Sequence, residues 1–333
     1  MNLREFRNKV KQAVKRFKKI YHSKHVRVIG HYDADGICST AILSKALNLE
    51  NRNHSISIFS QLTKSNIIDL AQEKNKIYFL LDFGSSQLTL IKNYLKDKLI
   101  FILDHHDVET SNLSENIVQV NPHLYGIDGS SQISGSGVVY LFSKELSPNL
   151  NLAHLAIIGA IGDVQEEKGF IGVNEKILKQ AIKENKIKIE KSIRWFGLET
   201  KPLYRLLTYS SDPLIPGISG SESNSIQFLN DLKIKPKREG KWIKFCDLNN
   251  EEKDRLFSGI IIKRKDEKNP EDIFSDRYII TGEKGPLKDA REFSTILNAC
   301  GRMDKASAGI GACLGDEKSK KKAIKCLKEY KNE

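Results

Sequence analysis

Four short segments of this 333-residue chain concentrate carboxylates and imidazoles: His31-Tyr32-Asp33-Ala34-Asp35-Gly36, Asp82-Phe83-Gly84, Asp104-His105-His106 and Gly159-Ala160-Ile161-Gly162-Asp163. In extended chain alternate residues point the same way, so His31, Asp33 and Asp35 can face one side, and Gly36 lets the backbone turn into a following helix. Asp82 can bridge two cations through its two oxygens, His105 offers an imidazole, and Asp163 closes the set. Crowded carboxylates repel one another, so such a convergence calls for positive charge among them. Hard oxygen ligands with a few imidazoles suit two Mn²⁺ or Mg²⁺ ions better than a thiolate-preferring metal. Two ions ~3.5–4 Å apart can clamp the attacking and leaving oxygens of a phosphoester. His106 is then free to touch the substrate phosphate or protonate the leaving oxygen, while Asp104 orients an imidazole. Singly, each residue has a plainer reading. An Asp at a strand end, Asp82 included, is commonly a helix cap.

The elements that must bring these segments together are legible as apolar runs. Runs at 26–29, 77–81 and 99–103 lead into the first three clusters, as buried parallel strands do. Strands 26–30, 54–60, 76–81, 99–103 and a short one near 117–120 alternate with helices 36–48, 64–73 and 86–96. That alternation predicts an α/β fold, a doubly wound parallel sheet flanked by helices, whose ligands gather at the strands' carboxyl ends. After Asn121-Pro122 the pattern turns helical, over 136–146, 150–161 and 174–184.

Leu3, Phe6, Val10, Val14, Phe17 and Tyr21 recur at helical spacing and predict an amphipathic helix docked on the first domain. A membrane-surface or organelle-targeting helix would look similar, but this stripe runs straight into the first strand with no cleavage-like or Ser-rich linker. The proline- and glycine-rich stretch 210–220 marks an ordered loop or an inter-domain connector. A helix at 250–262 lies between charged stretches. The end of the chain reads as a smaller α/β unit: strand 273–281, helix 289–299, a Gly-rich segment 301–315 and a basic terminal helix. The expected division is therefore a first domain over 1–235, a linker with a helix over 236–271, and a C-terminal domain over 272–333.

No apolar run approaches the ~20 residues that cross a bilayer, and the first residues lack a signal peptide's apolar stretch, so the expected location is cytoplasmic. Five cysteines without a C-x-x-C pair argue for reduced thiols rather than a disulfide framework or thiolate zinc site. The net charge of +12 is uneven: residues 1–25 hold nine Lys or Arg against one acid, and 317–333 hold seven Lys against three. Such ends suit a polyanion, most plausibly nucleic acid; solvated lysine-rich helix faces are the plainer alternative.

In combination, the four clusters resemble the motifs of the DHH phosphoesterases, named for the triplet found here as Asp104-His105-His106, and within them the RecJ-like nucleases. The resemblance implies that His31, Asp33, Asp35, Asp82, His105 and Asp163 hold two Mn²⁺ and that His106 serves catalysis. Asn121-Pro-His-Leu-Tyr-Gly-Ile-Asp-Gly129, Lys201-Pro-Leu-Tyr-Arg205 with Asp212-Pro-Leu-Ile-Pro216, and Arg291 to Met303 are similar to archaeal RecJ-like exonucleases. Some of those associate with the GINS replication complex. His31 agrees with that branch, since bacterial RecJ usually has Asp there.

The C-terminal unit would correspond to the DHHA1 domain, yet the family's Gly-Gly-Gly-His segment is replaced by Cys300-Gly301-Arg302-Met303-Asp304. Gly301, Gly309 and Gly311 still permit a backbone approach to phosphate. Arg302 could grip that phosphate, helped by Arg291 and with Asn298 beside it. A surface salt bridge for Arg302 and plain turns at Gly309 and Gly311 are the alternatives.

The implied activity is a metal-dependent exonuclease on single-stranded DNA, and RNA too, in replication or repair. Hydrolysis of short oligonucleotides or a cyclic dinucleotide is one alternative. A scaffold subunit docked on GINS and the replicative helicase is another, disfavoured because all six ligands persist. Pyrophosphatase relatives carry a different C-terminal domain, and long basic ends have no use on so small a substrate.

Overall fold

The computed structural model of the protein describes residues 2–20, 24–110, 113–167 and 169–330. The apolar runs that leave no polar face form the centre of a five-stranded, all-parallel sheet in the order β2-β1-β3-β4-β5. The strands are β1 (Val26–His31), β2 (His54–Phe59), β3 (Ile77–Leu81), β4 (Leu99–Leu103) and β5 (Ile117–Val120). The α/β parallel-sheet expectation holds, and each of the first three acidic clusters begins at or just beyond the end of its strand.

Side-chain alternation gives the sheet two buried faces. Register sets Phe79 opposite Phe101, with rings stacked at 4.7 Å. Phe17 of α1 (Leu3–Lys18) and Phe142 of α5 (Gly135–Leu146) close on Phe79 at 5.2 and 5.4 Å. Such aromatic contacts add ~0.5–1.5 kcal/mol each beyond the area they bury. On the opposite face Tyr78, Leu80, Ile100 and Ile102 pack with Ile67 and Leu70 of α3 (Lys64–Gln72) and Leu88 and Ile91 of α4 (Leu88–Tyr94).

Helix α1 buries Phe6, Val10, Ala13, Val14 and Phe17, as its periodicity predicts; Tyr21, assigned to the same stripe, lies outside the described residues. Helix α2 (Ala34–Leu49) is buried on almost every side, packed by α5 and by α6 (Ala153–Gly162). It is followed in this helical layer by α7 (Gly172–Lys183).

The packing groups the chain along other lines than the expected division. The chain forms one compact unit from residues 1–187 and 294–333 and another from 188–293. The C-terminal segment groups with the first unit: α12 (Ala306–Cys313) packs on α2 and on α13 (Glu317–Tyr330). Within the Gly-rich segment 301–315, residues 306–313 form this helix. A Cβ on Gly309 would meet Ile37 of α2 at 3.2 Å, and one on Gly311 would meet Ser319 of α13 at 2.3 Å, so these glycines serve close helix packing.

The second unit has its own core. Strand β6 (Ile187–Ile193) pairs with β9 (Phe274–Ile280), and α8 (Leu203–Thr208), α9 (Glu222–Asp231), a two-residue hairpin of β7 (Lys237–Arg238) and β8 (Lys241–Trp242), and α10 (Asn250–Lys263) complete it. Leu256 and Ile260 of α10 join Leu203, Leu207, Phe228 and Leu229 in this core, so 236–271 is integral structure rather than a linker. Arg277 is buried between Glu199 and Asp289, 2.6 Å from each. Helix α11 (Ala290–Arg302) carries the chain back into the first unit. No helix among the described residues is long and apolar enough to cross a membrane.

Candidate metal centre

Strand β1 delivers His31 at its last residue, and Asp33 then caps α2, its Oδ1 accepting from the Gly36 backbone N–H at 2.9 Å. That cap leaves Oδ2 beside His31 Nδ1 at 2.9 Å. Asp82 ends β3 with φ of +63°, a left-handed conformation that Asp tolerates better than most residues. Its carboxylate is buried, with Oδ2 3.4 Å from His31 Nδ1 and Oδ1 3.2 Å from His105 Nε2. Asp163, at the C-terminal end of α6, brings Oδ2 to 3.4 Å from the same His105 nitrogen, and Asp35 Oδ2 stands 3.9 Å from it.

Two groups result. His31, Asp33 and Asp82 form one, and Asp35, His105 and Asp163 the other; within each, ligand atoms lie within 4.8 Å of one another. Asp82 faces both, one oxygen toward each. His106 lies within the same span of Asp82 and His105.

Carbonyl oxygens only accept, and two of them set the imidazoles. His31 Nε2 donates to the Ser60 carbonyl at 3.2 Å, and His105 Nδ1 donates to the Gly129 carbonyl at 2.7 Å. Each ring therefore turns its other nitrogen toward the carboxylates, the orientation that outer hydrogen bonds impose on metal-ligating histidines. His106 differs: its Nδ1 is hydrogen-bonded to Asp104 Oδ1 at 2.8 Å, and the half-exposed ring keeps Nε2 for something else. Asp104 is fully buried and accepts from the backbone N–H groups of Ser85, His105 and His106 as well, so it holds the turn and His106 together.

Charge in this cluster is unbalanced. Burial raises Asp35 to about 7, with the Asp82 charge adding to it, and burial with the charges of Asp35 and Asp82 lifts Asp163 well above the carboxylate range. Burial also disfavours charge on Asp82, yet His105 and His31 hold it well below that range. Burial opposes charge on His31, but Asp33 and Asp82 outweigh it and raise the imidazole to about 11. His105 is raised for the same reason, chiefly by Asp82 acting against burial. Without a cation the imidazoles carry the compensating charge.

Four atoms that face the cluster, His31 Nδ1, both Asp82 oxygens and Asp163 Oδ2, are buried with no aligned hydrogen-bond partner among the described residues. Buried polar atoms are rarely left so. Divalent cations would satisfy all four and displace the imidazole protons. The donor set of carboxylate oxygens and two imidazole nitrogens fits Mn²⁺ or Mg²⁺.

Glycines make the cradle. A Cβ on Gly159 would stand 2.3 Å from Asp35 Oδ1, and one on Gly135 2.5 Å from Asp82 Oδ1. Ser136 N–H donates to both Asp35 oxygens at 3.1 and 3.2 Å. Nothing in the sequence marks the site roles of Ser60, Gly129, Gly135 and Ser136. A carbonyl carries no residue-type signal, although the run Ser134-Gly135-Ser136-Gly137 at a helix start could have flagged a close approach.

The residues expected to touch nucleic acid fare differently. Asn298 accepts the Ala34 N–H at 2.8 Å, and Gly301 lies so close to Tyr32 that a Cβ would reach its carbonyl at 1.7 Å; both fasten α11 to the first ligand segment. Gly309 serves helix packing, as described above. Arg302 donates through Nη1 to the Tyr330 hydroxyl at 2.5 Å. Arg291 falls in the second unit, donating to Ser275 Oγ at 3.2 Å.

Residues 25–160 match the family model of the DHH family's N-terminal domain and residues 195–273 that of the DHH-CID domain. The uncharacterized protein MJ0831 of Methanocaldococcus jannaschii is 35% identical over 328 residues, 97% of this chain and 71% of that protein. The chain belongs to the DHH family. Among solved structures, CDC45 from Entamoeba histolytica aligns over 99% of this DHH chain and 72% of its own, with a TM-score of 0.67 at 15% identity. The exonuclease RecJ bound to manganese aligns over 98% of this chain and 64% of its own (TM-score 0.53, 16% identity). RecJ of Thermus thermophilus in complex with Mn²⁺ aligns over 100% and 37% (TM-score 0.51, 17% identity). At these identities the likeness is one of fold. The DHH-CID match lies wholly within the second compact unit.

Proposed function

We propose that this DHH protein is a two-metal phosphodiesterase that removes nucleotides from the ends of single-stranded DNA, and of RNA. The observation that carries this reading is Asp82, whose two oxygens face two separate histidine–carboxylate groups. His31, Asp33 and Asp82 would hold one ion, and Asp35, Asp82, His105 and Asp163 the other. Divalent cations at those positions, Mn²⁺ or Mg²⁺, supply positive charge against the phosphodiester oxygens and acidify an attacking water.

The chain's own residues do the rest. Ser60 and Gly129 fix the two ligand imidazoles. Asp104 holds His106 so that Nε2 presents a proton to a phosphate or leaving oxygen, with the hydrogen bond to Asp104 favouring the charged ring over the opposing effect of burial. A net charge of +12 supports a polyanionic substrate. RecJ, an exonuclease in its solved form with manganese, shares the fold and supports the reaction class.

The test is an end-labelled degradation assay on single-stranded DNA and RNA with Mn²⁺ and Mg²⁺, read from both ends, alongside a dinucleotide. Loss of cleavage in Asp82→Ala and Asp163→Ala is expected; cleavage that survives both changes refutes the two-metal assignment. Equal or better turnover of the dinucleotide would move the substrate to short oligonucleotides.

A second reading, docking on GINS and the replicative helicase, is supported by the fold shared with CDC45 over nearly the whole chain. It is compatible with catalysis, since the ligand set is complete. A pull-down with Asp82→Ala protein separates the two, because docking would persist where cleavage stops.

A further inference from the structure

Two stretches picked out in the sequence, 201–205 and 212–216, have no part in the metal centre. Both belong to the second unit, where Lys201, Arg205 and Asp212 line a cavity of about 210 Å³ together with the segment after β6. At ~30 Å³ per water, that is room for a phosphate group with its hydration.

Three cations line it: Arg194, Lys201 and Arg205. Two aromatic rings stand among them. Lys201 Nζ lies 5.2 Å from the Phe196 ring centre, and Tyr209 is 70% exposed, although large rings are ordinarily covered. Arg194 donates through Nη2 to the Asp272 carbonyl, yet its buried Nε has no partner among the described residues. Arg205 donates Nε to the Tyr204 hydroxyl at 3.1 Å, which turns the guanidinium without neutralising it. One acid, Asp212, also lines the cavity. The wall is rigid: Trp195 is buried and its Nε1 donates to Ser210 Oγ at 2.8 Å, which in turn donates to the Pro213 carbonyl at 2.7 Å.

Cations beside an exposed ring match one polymer. A guanidinium fork and an ammonium suit phosphodiester oxygens, and an aromatic face stacks any base whatever its identity. An acidic peptide would use the charges and leave the rings in water. We propose that this cavity is an anchoring site for a single nucleic-acid strand, holding a phosphodiester against Lys201, Arg205 and Arg194 with a neighbouring base stacked on Tyr209. The proposal rests on the nuclease reading for its substrate class, but its test needs no cleavage.

Binding of a fluorescein-labelled oligo-dT 30-mer is followed by anisotropy in EDTA over a salt series, with the thermal midpoint of each variant confirming folding. The Lys201→Glu, Arg205→Glu double variant should lose about tenfold or more in affinity at low salt. Its slope of log affinity against log salt should fall by ~0.7 for each phosphate contact removed. Tyr209→Ala should lose about tenfold with the slope unchanged, because stacking releases no counterions.

Affinities equal to the parent chain in both variants overturn the proposal. So does loss of poly-glutamate binding with the oligonucleotide retained, which would make the cavity a protein-docking site. If the parent chain cleaves nothing while the two salt signatures appear, the anchor stands and the nuclease reading falls.

Discussion

Replacing Gly159 by alanine tests the metal centre without touching a ligand. The new Cβ would lie 2.3 Å from Asp35 Oδ1 and 2.2 Å from Ser136 Oγ, whereas ordinary contact begins at 3.4 Å. The Asp35 carboxylate must therefore retreat by about 1.1 Å, while ligand distances tolerate only about 0.2 Å. Overpacking of this kind costs ~1–3 kcal/mol, which a protein of this size survives. Metal binding should not survive it. At a hundred times its dissociation constant, Mn²⁺ stabilises the folded parent chain by ~2.7 kcal/mol, roughly 5–10 °C for a unit of about two hundred residues. The assay is differential scanning fluorimetry with and without saturating Mn²⁺. Gly159→Ala should melt lower and lose most of that shift. Gly137→Ala is the control: its Cβ would strike Ile133 at 2.8 Å and no metal-facing atom, so it should melt lower yet keep the shift. A full Mn²⁺ shift in Gly159→Ala would show that Asp35 is no ligand, or that the cradle is looser than described.

His106→Ala should lower kcat by ~10²–10⁴ while the Mn²⁺-induced rise in melting temperature stays intact; losing that rise would make His106 a ligand instead. His154, buried in α6, is pushed down to about 3 by burial, with Lys186 adding to it. An unfolded imidazole titrates near 6.5, so below that pH the unfolded chain takes up a proton that the folded one refuses. Stability is full above pH 6.5 and declines as pH falls toward 3, by up to about 5 kcal/mol in all. His154→Leu should flatten that decline in urea midpoints measured from pH 7 to 4, and an unchanged slope would sink the assignment. Val164, just past the end of α6, holds φ of +59°, a conformation costly for a β-branched residue. Val164→Gly should raise stability by ~1 kcal/mol in urea denaturation, and a lowered midpoint would contradict the strain.

Buried parallel strands announce themselves because both faces are apolar, which is why β1, β3 and β4 and the acidic residues at their ends could be placed from the chain alone. Strand β6 could not: in Ile187–Ile193 four consecutive residues are exposed, and its lysines and glutamate read as solvated chain. Helix α12 was concealed by its glycines, which signal a loop in isolation but here admit α2 and α13 at close range. Spacing alone does not show that Asn298 engages Ala34 or that Gly301 seats against Tyr32; the fold brings them together. The expectation of a separate C-terminal domain has a related cause. Chain order says nothing about which surface a helix returns to.

That return has a consequence for synthesis. The clasp between Asn298 and Ala34 joins residues 264 positions apart, and the glycine that seats against Tyr32 arrives three positions later. A ribosome therefore makes every presumed ligand well before it makes the piece that steadies the first of them. A half-translated chain carries the ligands without that buttress, so the first ligand segment gains its support only once residues 298–301 have been made.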